Sequence, residues 1–293
     1  MAIDISAKDV MKLRNKTGAG MMDCKGALKA TDGDMDAAAD YLRKKGIAKA
    51  ISKAERTAKE GLVTSYINED SNKGSLVEIN CETDFVAKTP DFQEFVADLA
   101  RQLANSGSEG ELDRQNLDAY NLADGRSVKD CIGELVAKLG ENITSNKAMV
   151  YVSDGGFLTS YIHMGGKLGV LVEMAADGTI NDNIKSFSKD VAMQIAASKP
   201  LVVDRAEVPP EWIEKEKEIY REQALNEGKP EKIIDRIAEG KLRKYFSEIC
   251  LLEQPFVKET DITVGEGLSR LEKDSDTQIT IRRFVRMQVG QNG

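Results

Sequence analysis

Gly61-Leu62-Val63-Thr64-Ser65-Tyr66-Ile67 and Gly156-Phe157-Leu158-Thr159-Ser160-Tyr161-Ile162 are one motif written twice, 95 residues apart. The register holds beyond the motif. Leu76-Val77-Glu78 falls on Leu171-Val172-Glu173, and Phe92 and Val96 fall on Phe187 and Val191. Each copy reads as strand, turn, strand, loop, helix. The helices carry Phe92, Phe95, Val96, Leu99 and Leu103, or Ile184, Phe187, Val191 and Ile195, at the spacing of a single apolar face. A two-stranded ribbon cannot bury its apolar side alone, and the helix that follows supplies the cover. Two related α+β core subdomains with antiparallel sheets are the expectation.

The copies agree in their strands and differ at their tips. Asp84-Phe85 falls on Thr179-Ile180, and His163-Met164-Gly165-Gly166 falls on Asn68-Glu69-Asp70-Ser71. A shared scaffold with divergent loops puts function in the loops. The first tip, Cys81-Glu82-Thr83-Asp84-Phe85-Val86-Ala87-Lys88, sets an acid beside an aromatic ring on a bend before Pro90. Burying both is expensive, because the carboxylate would need a partner inside. Two readings follow: a wedge, with the ring entering a partner's pocket while Asp84 takes donors, or a helix start with Phe85 tucked into the local core.

Residues 1–46 predict a small three-helix domain. Ser6 can cap the first helix with Asp9 as its box partner, Thr17-Gly18-Ala19-Gly20 ends it, and the second runs from about Met21 to Thr31. Asp34 can cap a third, whose stripe is Met35, Ala38, Ala39 and Leu42 and whose end is Lys44-Lys45-Gly46. So small a bundle leaves Met21 and Met22 either as a docking surface or as core. Residues 47–60 read as a helical linker with a basic face (Lys49, Lys53, Arg56, Lys59). Residues 61–146 are then the first core subdomain, with Val128, Ile132, Leu135, Val136 and Leu139 on a further helix. Lys147 to Ser153 reads as an extra strand entering the second subdomain, residues 147–207 with 250–293. Residues 208–249 are an inserted antiparallel helical hairpin, with Trp212, Ile219 and Tyr220 on one helix and Ile234, Ala238, Leu242, Tyr245 and Ile249 on the other. Ile279 to Val289 reads as the strand that closes the second sheet.

The bulk numbers narrow the chemistry. The 293 residues carry 41 basic and 49 acidic side chains, a net charge of −8, which argues against a general nucleic-acid or anionic-membrane binder. Four cysteines stand apart with no CxxC pair, so a metal site is not expected and a reduced, cytoplasmic chain is. The segment Met1-Ala2-Ile3-Asp4-Ile5-Ser6 has no signal-peptide pattern, and no apolar run reaches the length of a membrane span. His163 is the only histidine, and Gly18-Ala19-Gly20 follows a helix, not a strand. No nucleotide or other cofactor is expected on this chain.

Taken in order, Thr17-Gly18-Ala19-Gly20-Met21-Met22-Asp23-Cys24-Lys25, Thr83-Asp84-Phe85-Val86-Ala87-Lys88, Tyr161-Ile162-His163, Gln254-Pro255-Phe256-Val257 and Arg283-Phe284 closely resemble the bacterial translation elongation factor Ts family. The likeness covers nearly the whole chain. It implies a ubiquitin-associated-like N-terminal domain, paired core subdomains and a projecting coiled coil. It implies a guanine-nucleotide exchange factor for the GTPase elongation factor Tu, without covalent catalysis of its own. By position, Thr83, Asp84, Phe85 and Val86 would dislodge the partner's Mg²⁺, with Phe85 as the wedge. Arg14, Met21, Met22 and Lys25 would dock on the nucleotide domain, and His163 would touch another part of the GTPase or remain a hydrogen-bonded loop histidine. Many members carry a further helical module after the last strand, where this sequence reads Gly290-Gln291-Asn292-Gly293; the contacts of that module are expected to be absent or replaced. A homodimer through the hairpin and a 2:2 complex both stay open. A passive binding adaptor built on the N-terminal bundle is the alternative function.

Overall fold

The computed structural model describes residues 5–53, 55–163 and 165–291, with residues 47–52 described by their backbone alone. The two copies of the motif build two sheets that pack face to face. The first sheet contains β1 (Glu60–Ile67), β2 (Lys73–Cys81), the short β3 (Gly110–Leu112) and β4 (Ile143–Val152), in the order β1-β2-β4-β3. The second has β5 (Gly156–His163), β6 (Leu168–Ala176) and β9 (Ile279–Gln288), in the order β5-β6-β9. All named pairings are antiparallel.

Side-chain alternation along β1 and β2 divides the residues between two cores. Leu62, Val77, Ile79 and Cys81 face a helix layer, whereas Val63 and Leu76 face the other sheet, where they meet Leu158, Leu171 and Met287. The second copy does the same: Phe157, Val170 and Val172 face helix α8 (Asp182–Ser198), as Val77 and its neighbours face α5 (Pro90–Ala104). The layers therefore run helix, sheet, sheet, helix. Both faces of β2 and β6 are covered, so both strands are buried along most of their length: β6 is a nearly unbroken apolar run, and β2 also buries Ser75, Glu78 and Asn80.

A local two-fold relates the copies, and it is visible atom by atom. Val63 N–H donates to Gly166 O at 2.6 Å, and Leu158 N–H donates to Ser71 O at 2.7 Å. These are the same bond with donor and acceptor exchanged between copies. Ser65 Oγ bonds its own counterpart, Ser160 Oγ, at 3.0 Å, so the axis passes close to them. Gly74 and Gly169 are counterparts too. A Cβ on Gly169 would lie 2.5 Å from Val63, and one on Gly74 would lie 3.0 Å from Leu158. Only glycine lets the sheets approach this closely.

The strand from Lys147 to Ser153, expected to enter the second copy, does not. It is the C-terminal part of β4, which starts at Ile143 and pairs with β2 in the first sheet, so a division at 146/147 falls inside a strand. It is the counterpart of β9. Glu78 pairs opposite Lys147 and Glu173 opposite Arg283, and both ladders slip by one residue immediately afterwards. The terminal bonds match as well: Ser153 N–H to Asn72 O at 2.7 Å and Val289 N–H to Lys167 O at 2.9 Å. Each repeat thus contains three strands, not two.

The N-terminal bundle comprises α1 (Ala7–Thr17), α2 (Met21–Ala30) and α3 (Met35–Lys53), around Val10, Leu13, Cys24, Leu28, Ala38 and Leu42. Ser6 caps α1 through Asp9 N–H at 3.1 Å; its hydroxyl also donates to the Asp9 carboxylate at 2.6 Å, in place of a reciprocal box. Gly46 does not end the third helix, as its sequence context suggested. It is buried inside α3, at the point where that helix crosses α7 (Val128–Leu139), the helix after the short α6 (Arg114–Ala119), and a Cβ there would lie 3.0 Å from Gly133 O and 3.2 Å from Ala137. The glycine permits close helix packing. The Lys49 side chain of the expected basic face lies outside the described residues, as do residues 1–4.

Two further helices, α9 (Pro210–Asn226) and α10 (Glu231–Ile249), form the hairpin. Ala224, Ile234, Ala238, Leu242 and Phe246 are its buried seam. Phe246 takes the buried position that the sequence pattern gave to Tyr245, which is only half-buried; Trp212 and Ile219 are exposed. The base is tied to the second core by Leu201 N–H to Ile249 O at 2.8 Å and by Arg205, whose guanidinium lies 4.5 Å over the Phe246 ring. The chain then runs through β7 (Pro255–Phe256), β8 (Glu259–Thr263) and the amphipathic α11 (Val264–Ser275) to β9. Gln254 is buried; its Oε1 accepts from Gln194 Nε2 at 3.1 Å and its Nε2 donates to Glu248 O at 2.7 Å.

Candidate functional site

The connection from β2 to α5 has one helical turn of its own, α4 (Asp84–Ala87). Thr83 caps it, with Val86 N–H reaching Thr83 Oγ1 at 3.4 Å. Thr89 caps the next helix and Pro90 begins it; proline keeps Thr89 extended and stops the two helices from merging. An isolated turn of four residues has little stability of its own. Here it is pinned from both ends. Val86 and Ala87 are buried in the first core, and both Thr83 N and Thr83 Oγ1 donate to Glu141, at 3.0 and 2.7 Å.

With those residues fixed, Phe85 points outward. It is 78% exposed, the most exposed aromatic side chain among the described residues. The reading that tucked it into the core does not hold. A ring in water forgoes roughly 2 kcal/mol of burial, so the fold gains nothing from a Phe here. Asp84 stands beside it in an ion pair with Lys88 at 2.6 Å, and that ammonium holds the Asp84 carboxyl below its ordinary range.

His163 ends β5 at the second tip. Its Nδ1 lies 2.7 Å from the Tyr161 hydroxyl and the two rings stack at 5.7 Å, so the imidazole is held in one orientation. Among the described residues Nε2 has no partner. The structure brings this tip and the first toward one end of the sheet pair. Lys167, in the His163 turn, pairs with Glu60 at the start of β1, and its charge also lowers the pKa of Asp84. Met164 lies outside the described residues.

Arg14, Met21, Met22 and Lys25 are all exposed, Met22 by 78%. Arg14 sits in the last turn of α1, and Met21, Met22 and Lys25 line the first turns of α2, so they surround one corner of the bundle. Met11, one turn before Arg14 and also exposed, extends this apolar corner; sequence reasoning passed over it. It passed over Glu141 and Lys167 as well. Glu141 is 58 residues from the threonine it holds, and no local pattern signals it. Cys81 and Cys131 lie in the first core, where burial pushes their thiols up to about 12 and about 11. Neither is a nucleophile at neutral pH.

A family model described as elongation factor TS matches residues 82–291, a span holding both repeats' helices, the exposed turn and the hairpin. The chain belongs to the elongation factor Ts family. Elongation factor Ts of Clostridium botulinum (strain Alaska E43 / Type E3) is 47% identical over 290 residues, covering 98% of this chain and 93% of that protein. Elongation factor Ts of Chlorobium phaeobacteroides (strain BS1) is 47% identical over 287 residues, covering 98% and 99%. Membership in the elongation factor Ts family places the chain among the proteins of translation elongation. The α+β architecture expected from the repeats is the one observed. Among the described residues no helix is long and apolar enough to cross a membrane, and no group of three His, Cys, Asp or Glu side chains could hold a metal ion.

Proposed function

We propose that this protein binds the GTPase elongation factor Tu in the cytoplasm and accelerates its release of GDP, so that GTP can replace it. The observation that carries this reading is the exposed Phe85 ring on a turn whose other residues are anchored. A GTPase holds GDP through phosphate contacts and through a Mg²⁺ that demands near-ideal octahedral geometry. A ring driven between the elements around that ion spoils the geometry without touching the nucleotide. Thr83 and Val86 hold the ring up, and Asp84 competes for donors beside it. Arg14, Met21, Met22 and Lys25 dock the bundle on the nucleotide domain, and the fixed imidazole of His163 contacts a second part of the GTPase.

The energetics are of the right size. Speeding release a thousandfold needs about 4 kcal/mol of differential binding. Burying Phe85 in the complex supplies roughly half, and docking at the other two surfaces can supply the remainder. By linkage, bound GDP must weaken the factor as much as the factor weakens GDP. No covalent step is involved. Stopped-flow release of a fluorescent GDP tests the reading: Phe85→Ala should still bind the GTPase and speed release far less than the wild type does. An adaptor that only recruits through the exposed methionine corner would form the complex and leave release slow even with Phe85 intact.

A further inference from the structure

The turn that displays Phe85 is held by a crossed pair of contacts between two loops. Glu141 accepts from Thr83 N at 3.0 Å through Oε2 and from Thr83 Oγ1 at 2.7 Å through Oε1. The next residue returns the contact, Asn142 N–H donating to Glu82 Oε1 at 2.6 Å. The second repeat keeps one half of this clasp and lacks the other. Gln278 N–H donates to Asp177 Oδ1 at 2.8 Å, the counterpart of the Asn142–Glu82 bond. Where the first repeat has Glu141, the second has Thr277, whose hydroxyl turns to Ser275 O. The carboxylate is present at the tip that carries an exposed ring and absent at the tip that does not.

We propose that Glu141 is a positioning residue for nucleotide exchange, acting through Thr83 on Phe85; this rests on the reading of Phe85 as the wedge. A hydroxyl has one proton and two lone pairs. By taking that proton, Glu141 turns the lone pairs of Thr83 toward Val86 N–H and so sets the cap of α4. The second carboxylate oxygen fixes the Thr83 backbone. The ring two residues on is then presented in one orientation, and the ordering entropy is met before the partner arrives. The clasp also reaches the segment leading from the N-terminal bundle: Asn142 Nδ2 donates to Arg56 O at 2.6 Å, Arg56 pairs with Glu82 at 3.5 Å, and Lys53 donates to Gly140 O. The bundle that docks and the turn that wedges share one anchor.

The test compares Glu141→Ala, Glu141→Gln and Phe85→Ala, each checked for native circular dichroism, in stimulated GDP release. Glu141→Ala should slow release at saturating factor about tenfold, and Glu141→Gln, which keeps one acceptor, about threefold, with the half-saturating concentration within about twofold of wild type. Amide hydrogen exchange across residues 84–88 of the free protein should quicken in both, most in the alanine variant. Glu141→Ala on a Phe85→Ala background should add no further slowing. Should Glu141→Ala release GDP at the wild-type rate, or leave exchange at 84–88 unchanged, while Phe85→Ala is slow, Glu141 does not position the ring and the wedge stands without it. Should Phe85→Ala itself release at the wild-type rate, the wedge fails and takes this role with it, whatever the amide exchange shows.

Discussion

Two segments leave equivalent strand ends in the two repeats, cover the same chain distance to the counterparts Phe92 and Phe187, and finish in opposite ways. Both begin by stitching an acid to the strand beside it, Glu82 to Asn142 N–H and Asp177 to Gln278 N–H. In the second repeat the chain then runs directly into α8: Ile180 packs against the core and Asn181 caps the helix through Ile184 N–H at 3.0 Å. In the first repeat Pro90 delays the helix, the preceding residues coil into a separate turn, and Phe85 stands in water. One loop uses its apolar residue to stabilise the fold, and the other withholds it. The fold alone does not call for that difference, so the exposed ring is the place to test the proposed function against a purely structural role.

The interiors differ as well, and there the largest effect is expected. Glu78 and Glu173 are buried counterparts. Glu173 takes hydrogen bonds from Ser153 at 2.8 Å, Arg282 at 3.0 Å and Arg283 at 2.6 Å, while Glu78 Oε2 has no partner among the described residues. Burial alone would raise the Glu173 pKa; the bonds from Ser153, Arg282 and Arg283 outweigh it, and the net shift is downward. Its contribution is therefore present above the unfolded carboxylate value and lost as pH falls through the folded one. Glu173→Gln should lower stability to urea by about 3 kcal/mol at pH 7, the low end for a broken buried pair because both arginines keep access to water. The gap from wild type should close on acidification. Glu78→Gln should leave stability unchanged or raise it, since a neutral amide is cheaper to bury than a half-bonded carboxylate. Equal losses at the two sites would mean that they are energetically alike.

At the tips the order reverses. Phe85→Ala should cut stimulated GDP release by roughly 10–100-fold, the kinetic equivalent of one buried Phe, with little change in unfolding. Ile180→Ala should cost about 1–3 kcal/mol of stability and leave release unchanged. A slow exchange phenotype at Ile180, or an unstable Phe85→Ala, would erase the distinction between the loops. A smaller effect is expected on the two-fold itself. Ser65→Ala and Ser160→Ala each remove the same 3.0 Å bond and should cost about 1 kcal/mol, and the double variant should cost no more than either single.

How much of this was legible follows from which signals are local. The motif at Gly61 and Gly156 gives the first two strands of each repeat and their helices, because side-chain period and spacing are local properties. The third strand escapes. β4 and β9 share only an initial Ile-Thr, and the hairpin and α11 put β9 much farther from its repeat than β4 is from its own. Gly46 misled because a glycine that ends a helix and one that admits a neighbouring helix look alike in one dimension. Phe85 could be suspected from an acid beside a ring, and His163 and the methionine corner from their place at tips and turns. Glu141 could not, since its role exists only after the two loops meet.

The smallest effect expected is at Asp84. Its ion pair with Lys88 is short but solvated on both sides, with side chains 44% and 71% exposed, so it adds little to stability. The Lys88 ammonium depresses the Asp84 pKa, and the carboxylate in turn raises that of Lys88. Whatever the pair contributes is thus present between the two unfolded values, lost on one side as pH falls through the folded value of Asp84 and on the other as pH rises through that of Lys88. Asp84→Asn should unfold within about 2 °C of wild type at pH 7, where surface substitutions usually fall, and the two should converge in acid. Its GDP release is the sharper measurement. If Asp84 competes for donors in the partner's site, Asp84→Asn slows release about threefold to tenfold, the worth of one charge-assisted hydrogen bond half screened by water. A rate within error of wild type would assign the whole difference between the loops to the Phe85 ring, with Asp84 doing no more than holding Lys88 at its side.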